Sequence, residues 1–181
     1  LAHAEGLGIE VLRGPFPDLD LGERQFAAVT FWAVMEHLIE PGRFLKKGAA
    51  ALQPGGHCFV LVPNARSLTL RLLGPRYRYV MPEHLNYFSA ATLRRWVETE
   101  PALRLVALLS THFNPMVLWQ DFWRPPTSLV PDVERARLLR RTTAWKQRRW
   151  LAPVRLLYQA VERGLAAAGL ADNLLAVLRR A

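Results

Sequence analysis

Glu36 and His37 stand side by side, and a second histidine, His84, follows in Pro82-Glu83-His84-Leu85. Carboxylates and imidazoles are the side chains that accept protons near neutral pH or ligate divalent cations. A neutral His84 imidazole could take a proton from a substrate hydroxyl; equally, a histidine in such a turn anchors its loop by hydrogen bonds. Glu36 in the first turn of a helix would favour the helix dipole, with His37 packing locally. Ahead of His84, Arg76, Tyr77, Arg78 and Tyr79 offer either two cations for an anionic group or a solvated loop. His3, His57 and His112 have no partner readable from sequence and are taken as structural. The one cysteine, Cys58, lies in an apolar run, which makes it a buried, inert thiol, and no intrachain disulfide can form.

These residues need elements to hold them. Ile9 to Arg13 is a short β-type run stopped by Gly14-Pro15-Phe16-Pro17. Phe26 to Phe31 is apolar without alternation, the pattern of a strand covered on both faces. Pro41 to Leu52 has helical spacing, with Phe44, Leu45, Ala49 and Leu52 on one side and Arg43, Lys46 and Lys47 on the other. Gln53-Pro54-Gly55-Gly56 makes a turn, and His57 to Val62 is another strand. Strand, helix, turn and strand make a βαβ unit, so the fold class is α/β with a parallel pair. Beyond it, the spacing predicts a helix over 89–99 capped by Ser89 and a strand over 103–110. Four prolines make 115–131 mostly loop. A helix from Asp132 to about Trp150, another opening at Pro153 and ending at Gly169, and a last strand over 173–178 complete the chain.

The 181 residues suffice for one α/β domain with an appendage, and 51% hydrophobic against 22% charged residues excludes wholesale disorder. No run reaches the roughly 20 uncharged apolar residues of a bilayer span. A lone cysteine suits a reducing, cytoplasmic setting. The net charge of +9 is uneven: residues 1–120 hold twelve basic and ten acidic side chains, residues 121–181 twelve and five. Residues 134–150 carry seven basic residues, two tryptophans and one acid. Such a helix is a solvated surface whose arginine stems cover apolar neighbours, a contact for anionic membrane, or, as the weakest reading, a nucleic-acid contact.

Two stretches carry a resemblance. Phe26-Ala27-Ala28-Val29-Thr30-Phe31-Trp32-Ala33-Val34-Met35-Glu36-His37-Leu38-Ile39-Glu40-Pro41 resembles the fourth strand and following helix of class I S-adenosylmethionine-dependent methyltransferases. Leu52-Gln53-Pro54-Gly55-Gly56 is similar to their turn before strand five. Pro82 to Leu93 looks like a segment of small-molecule members, and Asp172 to Val177 like their last strand. The group most resembled is that of ubiquinone O-methyltransferases. The resemblance implies a Rossmann-like sheet of order 3-2-1-4-5-7-6 with strand seven antiparallel, present here as an incomplete sheet of strands three to seven with a helical insert near the carboxyl end. The expected division is a core over 1–114, a basic insert over 115–168 and the last core strand over 169–181.

By the same resemblance S-adenosylmethionine is the cofactor. Phe31, Trp32 and Ala33 would flank its methionine part, and Gly14, Pro15 and Phe16 would approach the adenine. Glu36, His37 and His84 become the catalytic candidates. In the ubiquinone enzymes a Glu-His pair and an earlier glutamate hold a divalent metal; Ala33 occupies the earlier position here, so no metal is expected by that route. The glycine-rich cofactor loop and the acid after strand two are missing from this sequence. The chain begins at Leu1, and the expectation is a fragment that starts partway through a gene product and binds cofactor poorly alone. Its substrate would be a small or lipid-linked glycan molecule, with peripheral membrane contact through residues 132–168. The alternative is a non-catalytic relative that binds membrane or a partner through its basic helices.

Overall fold

A computed structural model gives the architecture and describes residues 2–123 and 152–181. Four strands, β1 (Phe26–Trp32), β2 (Leu52–Pro63), β3 (Leu103–Thr111) and β4 (Asn173–Arg180), form one sheet in the order β1-β2-β4-β3. The helices are α1 (Ala2–Gly6), α2 (Pro41–Ala51), α3 (Leu68–Leu73), α4 (Ala90–Val97), α5 (Pro115–Phe122) and α6 (Ala152–Ala167). β1 and β2 are parallel neighbours, Val29 opposite Cys58 and Phe31 opposite Val60, with α2 as their crossover. β4 runs antiparallel to both β2 and β3. That is the order the resemblance implies for its last four strands.

Burial explains the pairing. Cys58, Val60 and Val62 of β2 share one core cluster with Leu174, Ala176 and Leu178 of β4, Leu45 and Ala49 of α2, and Leu93 and Val97 of α4. α2 lies close on the sheet because Gly48 has no side chain; a Cβ there would sit 3.0 Å from the Phe31 ring. The Pro-Gly-Gly turn is absorbed into β2 as a bulge. Phe26 pairs with Leu52, but Ala28 pairs with His57. Gly55 adopts φ of 76°, and a Cβ on Gly56 would press within 2.9 Å of the Gln53 carbonyl, so both positions demand glycine.

Three expectations need correction. Ile9 to Arg13, exposed apart from the half-buried Val11, is not a strand. Among the described residues nothing pairs with the outer edge of β1, and a strand without a ladder partner has no reason to form. For the same reason β1 is not covered on both faces: only Phe31 in it is buried. Finally, 115–122 is helical rather than loop. Pro115 occupies the first turn, where a missing N–H costs nothing, and the Asn114 side chain caps Met116 N and Val117 N at 3.1 and 3.4 Å. β2 starts at Leu52, five residues before the expected His57, because the expected turn is absorbed into it; the other elements hold within a residue or two, α4 with its Ser89 cap and α6 followed by Gly169 at φ of 71°. The helix expected over Asp132–Trp150 lies outside the described residues.

Candidate functional site

At the carboxyl end of β1 the chain turns sharply. Ala33 takes φ of 52°, a left-handed conformation that costs a non-glycine residue energy, while its N–H still donates to Leu61 O at 3.0 Å. A short 3-10 turn, Met35–His37, follows. It buries Met35 and Glu36 and leaves His37 outside; Glu36 keeps only 1% of its surface. Glu36 therefore sits before α2, which begins at Pro41, and not in that helix's first turn, so the dipole account of its charge does not apply.

The segment 81–88 is clamped over this turn. Leu85 N and Asn86 N donate to Glu36 O at 2.8 and 3.0 Å, and Asn86 Nδ2 donates to Met35 O and Leu38 O at 3.1 and 2.6 Å. The clamp carries His84 inward, to 6% exposure, with its ring edge-on to His37 at a centroid distance of 4.6 Å. Tyr79 stacks on the other side at 6.1 Å. One ligand atom each from Glu36, His37 and His84 falls within 4.8 Å of the others.

The electrostatics single out two atoms. Burial raises the Glu36 carboxyl above its ordinary range, against the opposing pull of its own backbone hydrogen bond and of His37. Its Oε2 is buried without a hydrogen-bond partner, which makes the ionised form costly unless a proton or cation joins it. His37 Nδ1 lies 3.0 Å from Glu83 O. A carbonyl only accepts, so Nδ1 holds the proton and Nε2 is left as the acceptor or ligand atom. The expectation of no metal rested on Ala33; the fold instead supplies His84 as a third side chain, and the three together fit a divalent cation in donor type and spacing.

Behind the site, Arg78 and Asp121 form a buried pair. Arg78 Nη2 donates to Asp121 Oδ1 at 2.7 Å and the Arg78 backbone N–H to Oδ2 at 3.0 Å, with 8% and 0% of the two side chains exposed. Arg78 is thus not a solvated loop residue, and Tyr77 is buried too. Burial, then the neighbouring Asp172, pushes the Tyr77 hydroxyl up, and burial raises the Asp172 carboxyl as well. Sequence reasoning missed Asp121: nothing local marks an aspartate in an aromatic helix as the partner of an arginine 43 positions away.

The cofactor candidates divide. Phe16 packs edge-on to Phe31 at 5.6 Å and against Phe44 at 5.9 Å, so both Phe16 and Phe31 are turned into the joint between sheet and α2. Gly14 (φ 134°) and Pro15 lead into the 3-10 turn Phe16–Asp18. Trp32, half exposed, and Ala33, with its strained backbone, lie on the open rim of the turn.

A strained turn at the carboxyl edge of a parallel pair, in a sheet with one antiparallel strand, is the arrangement of Rossmann-like methyltransferases. Residues 9–100 match the family described as Methyltransferase domain, and the chain belongs to it. The chain is similar to ubiquinone biosynthesis O-methyltransferases, at 29% identity over 124 residues in Caulobacter vibrioides (63% of this chain, 49% of that protein). With the one from Coxiella burnetii (strain RSA 493 / Nine Mile phase I), identity is 25% over 100 residues (51% and 42%). The chain thus spans about half the length of the curated relatives it matches. Among solved structures the fold is similar to a SAM-dependent methyltransferase of Thermotoga maritima described as a possible histamine N-methyltransferase. The TM-score is 0.58 at 14% identity, covering 98% of this chain and 66% of that one. The cofactor of this class is S-adenosylmethionine.

Proposed function

We propose that the protein contributes the acceptor side of an S-adenosylmethionine-dependent methyl transfer to a hydroxyl of a small or lipid-linked glycan molecule. The observation that carries this is the meeting of Glu36, His37 and His84 beyond the carboxyl end of β1. When bound, the cofactor supplies an electrophilic methyl group, so in-line positioning accounts for most of the rate and the side chains need only orient and deprotonate the acceptor. His84, held by Tyr79 and the Asn86 clamp, takes the hydroxyl proton. Glu36 and His37 Nε2 lie beside it and orient the same oxygen; a divalent cation held by all three side chains would instead lower the hydroxyl's pKa, with His84 as a ligand rather than the base. Trp32 and Ala33 form the cofactor rim. The ubiquinone O-methyltransferase relatives favour an O-methyl acceptor. The test is transfer of labelled methyl from S-adenosylmethionine by the full-length gene product to a panel of hydroxyl-bearing acceptors, where loss on H84A is expected and unchanged turnover contradicts the role.

One observation favours a second reading, membrane contact by a non-catalytic relative. Trp119 and Phe122 of α5 and Trp123 just after it are all more than half exposed, and they precede the basic segment 134–150. Among the described residues no helix is long and apolar enough to cross a membrane, so any such contact would be peripheral. Salt-dependent sedimentation with anionic vesicles, together with no methyl transfer, would favour this reading over the first.

A further inference from the structure

At the opposite end of the sheet from Glu36, a cleft of about 440 Å³ is lined by Gly55, Arg104, Val106, Arg179, Arg180 and Ala181. Leu61, which pairs with Trp32 at the carboxyl end, comes six positions after Gly55 in β2; at about 3.3 Å per residue the two lie up to roughly 20 Å apart. Arg104 and Arg179 are direct partners in the β3–β4 ladder. Like charges directly opposed across strands destabilise a sheet. Among the described residues no carboxylate comes within 4 Å of these two or of Arg180, and Glu100, the nearest acid in sequence to Arg104, is engaged by Ala102 N.

Two of the three guanidinium groups are also held in place. Arg179 Nε donates to Gly55 O at 3.4 Å, and Arg180 Nη1 donates to Leu52 O and to Ala50 O. Gly55 contributes by what it lacks: a Cβ there would stand 3.3 Å from Arg179 Nη2. Val106, displaced outward where the β3–β4 register shifts, gives an exposed apolar wall. Positioned cations, repelling one another around a roomy cleft, describe a receptor for a multiply charged anion. Arginine forks match the oxygens of phosphate in particular.

We propose that this cleft is a binding site for a phosphate-type oxyanion, separate from the Glu36–His84 centre and independent of whether that centre transfers methyl groups. The anion's phosphate bridges Arg104 and Arg179 and removes their repulsion. The same chemistry is presented by a free phosphate compound and by a lipid headgroup.

Calorimetric titration of the full chain with pyrophosphate at low salt tests the site. Saturable one-to-one binding is expected. R104Q/R179Q is expected to weaken it at least about tenfold, as befits the loss of two charge-assisted contacts. R94Q/R95Q removes the same charge from exposed positions on α4 and is expected to stay within about twofold. If the glutamine pair fails to fold, R104K/R179K keeps the charge without the planar fork, and a loss of about threefold or more carries the same conclusion. Absence of saturable heat, or equal losses in the α4 variant, overturns the proposal. Vesicles of phosphatidic acid against phosphatidylcholine then separate the sources. Capture on the former that pyrophosphate displaces means a lipid phosphate, and pyrophosphate binding without capture means a soluble one.

Discussion

Glu36 is placed where its charge is least comfortable, and this sets a pH signature. Its carboxyl holds a proton more tightly in the folded chain than the ordinary value of 4.5 would allow, because burial penalises the charged form. Stability from that proton is therefore complete below pH about 4.5 and lost as the pH rises through the raised value. E36Q, which cannot ionise, should melt close to wild type at pH 4 and progressively above it towards pH 8 in metal-free buffer. A gap that does not change with pH would mean the carboxyl is solvated. Cys58 gives a simpler expectation. Burial pushes its thiol up to about 12, so it should resist iodoacetamide in the native chain at pH 8 and react fully in denaturant. An inert Cys58 was readable from its apolar neighbours. That His84 joins Glu36 and His37 was not, because the joint depends on Asn86 reaching two carbonyls some fifty residues earlier.

At the scale of elements, the Arg78–Asp121 pair ties the segment bearing His84 to α5. D121A would strand a buried guanidinium, and chemical denaturation should register a loss of about 3–5 kcal/mol; a loss under about 1 kcal/mol would mean that the pair is solvent-relaxed. N114A removes the α5 cap and should cost about 1 kcal/mol in the same measurement. The βαβ unit was legible because Phe26 to Val62 carries its whole logic locally: an apolar run, a helical stripe, a glycine bulge and a second apolar run. Ile9 to Arg13 has equal local β character yet forms no strand, since pairing is a property of neighbours and not of the run itself. The helix at Pro115 was hidden by counting prolines without asking where in a helix they fall. Its first-turn position and Asn114 cap were both present in the sequence.

Over the whole molecule, chemistry-bearing groups gather at both ends of one four-stranded sheet, with Glu36, His37 and His84 beyond β1 and an arginine cleft at the start of β2. Family membership and the sheet order came through in the Glu-His-Leu and Pro-Gly-Gly stretches. The clefts and clamps did not, because they are made by β4 slotting between β2 and β3 and by Pro82–Phe88 folding back over β1. The central claim is that His84 serves the acceptor, and the kinetics of the full-length gene product with S-adenosylmethionine test it most directly. H84A should lower kcat at least about 100-fold with little change in KM for S-adenosylmethionine. An H84A enzyme that keeps wild-type kcat would contradict it.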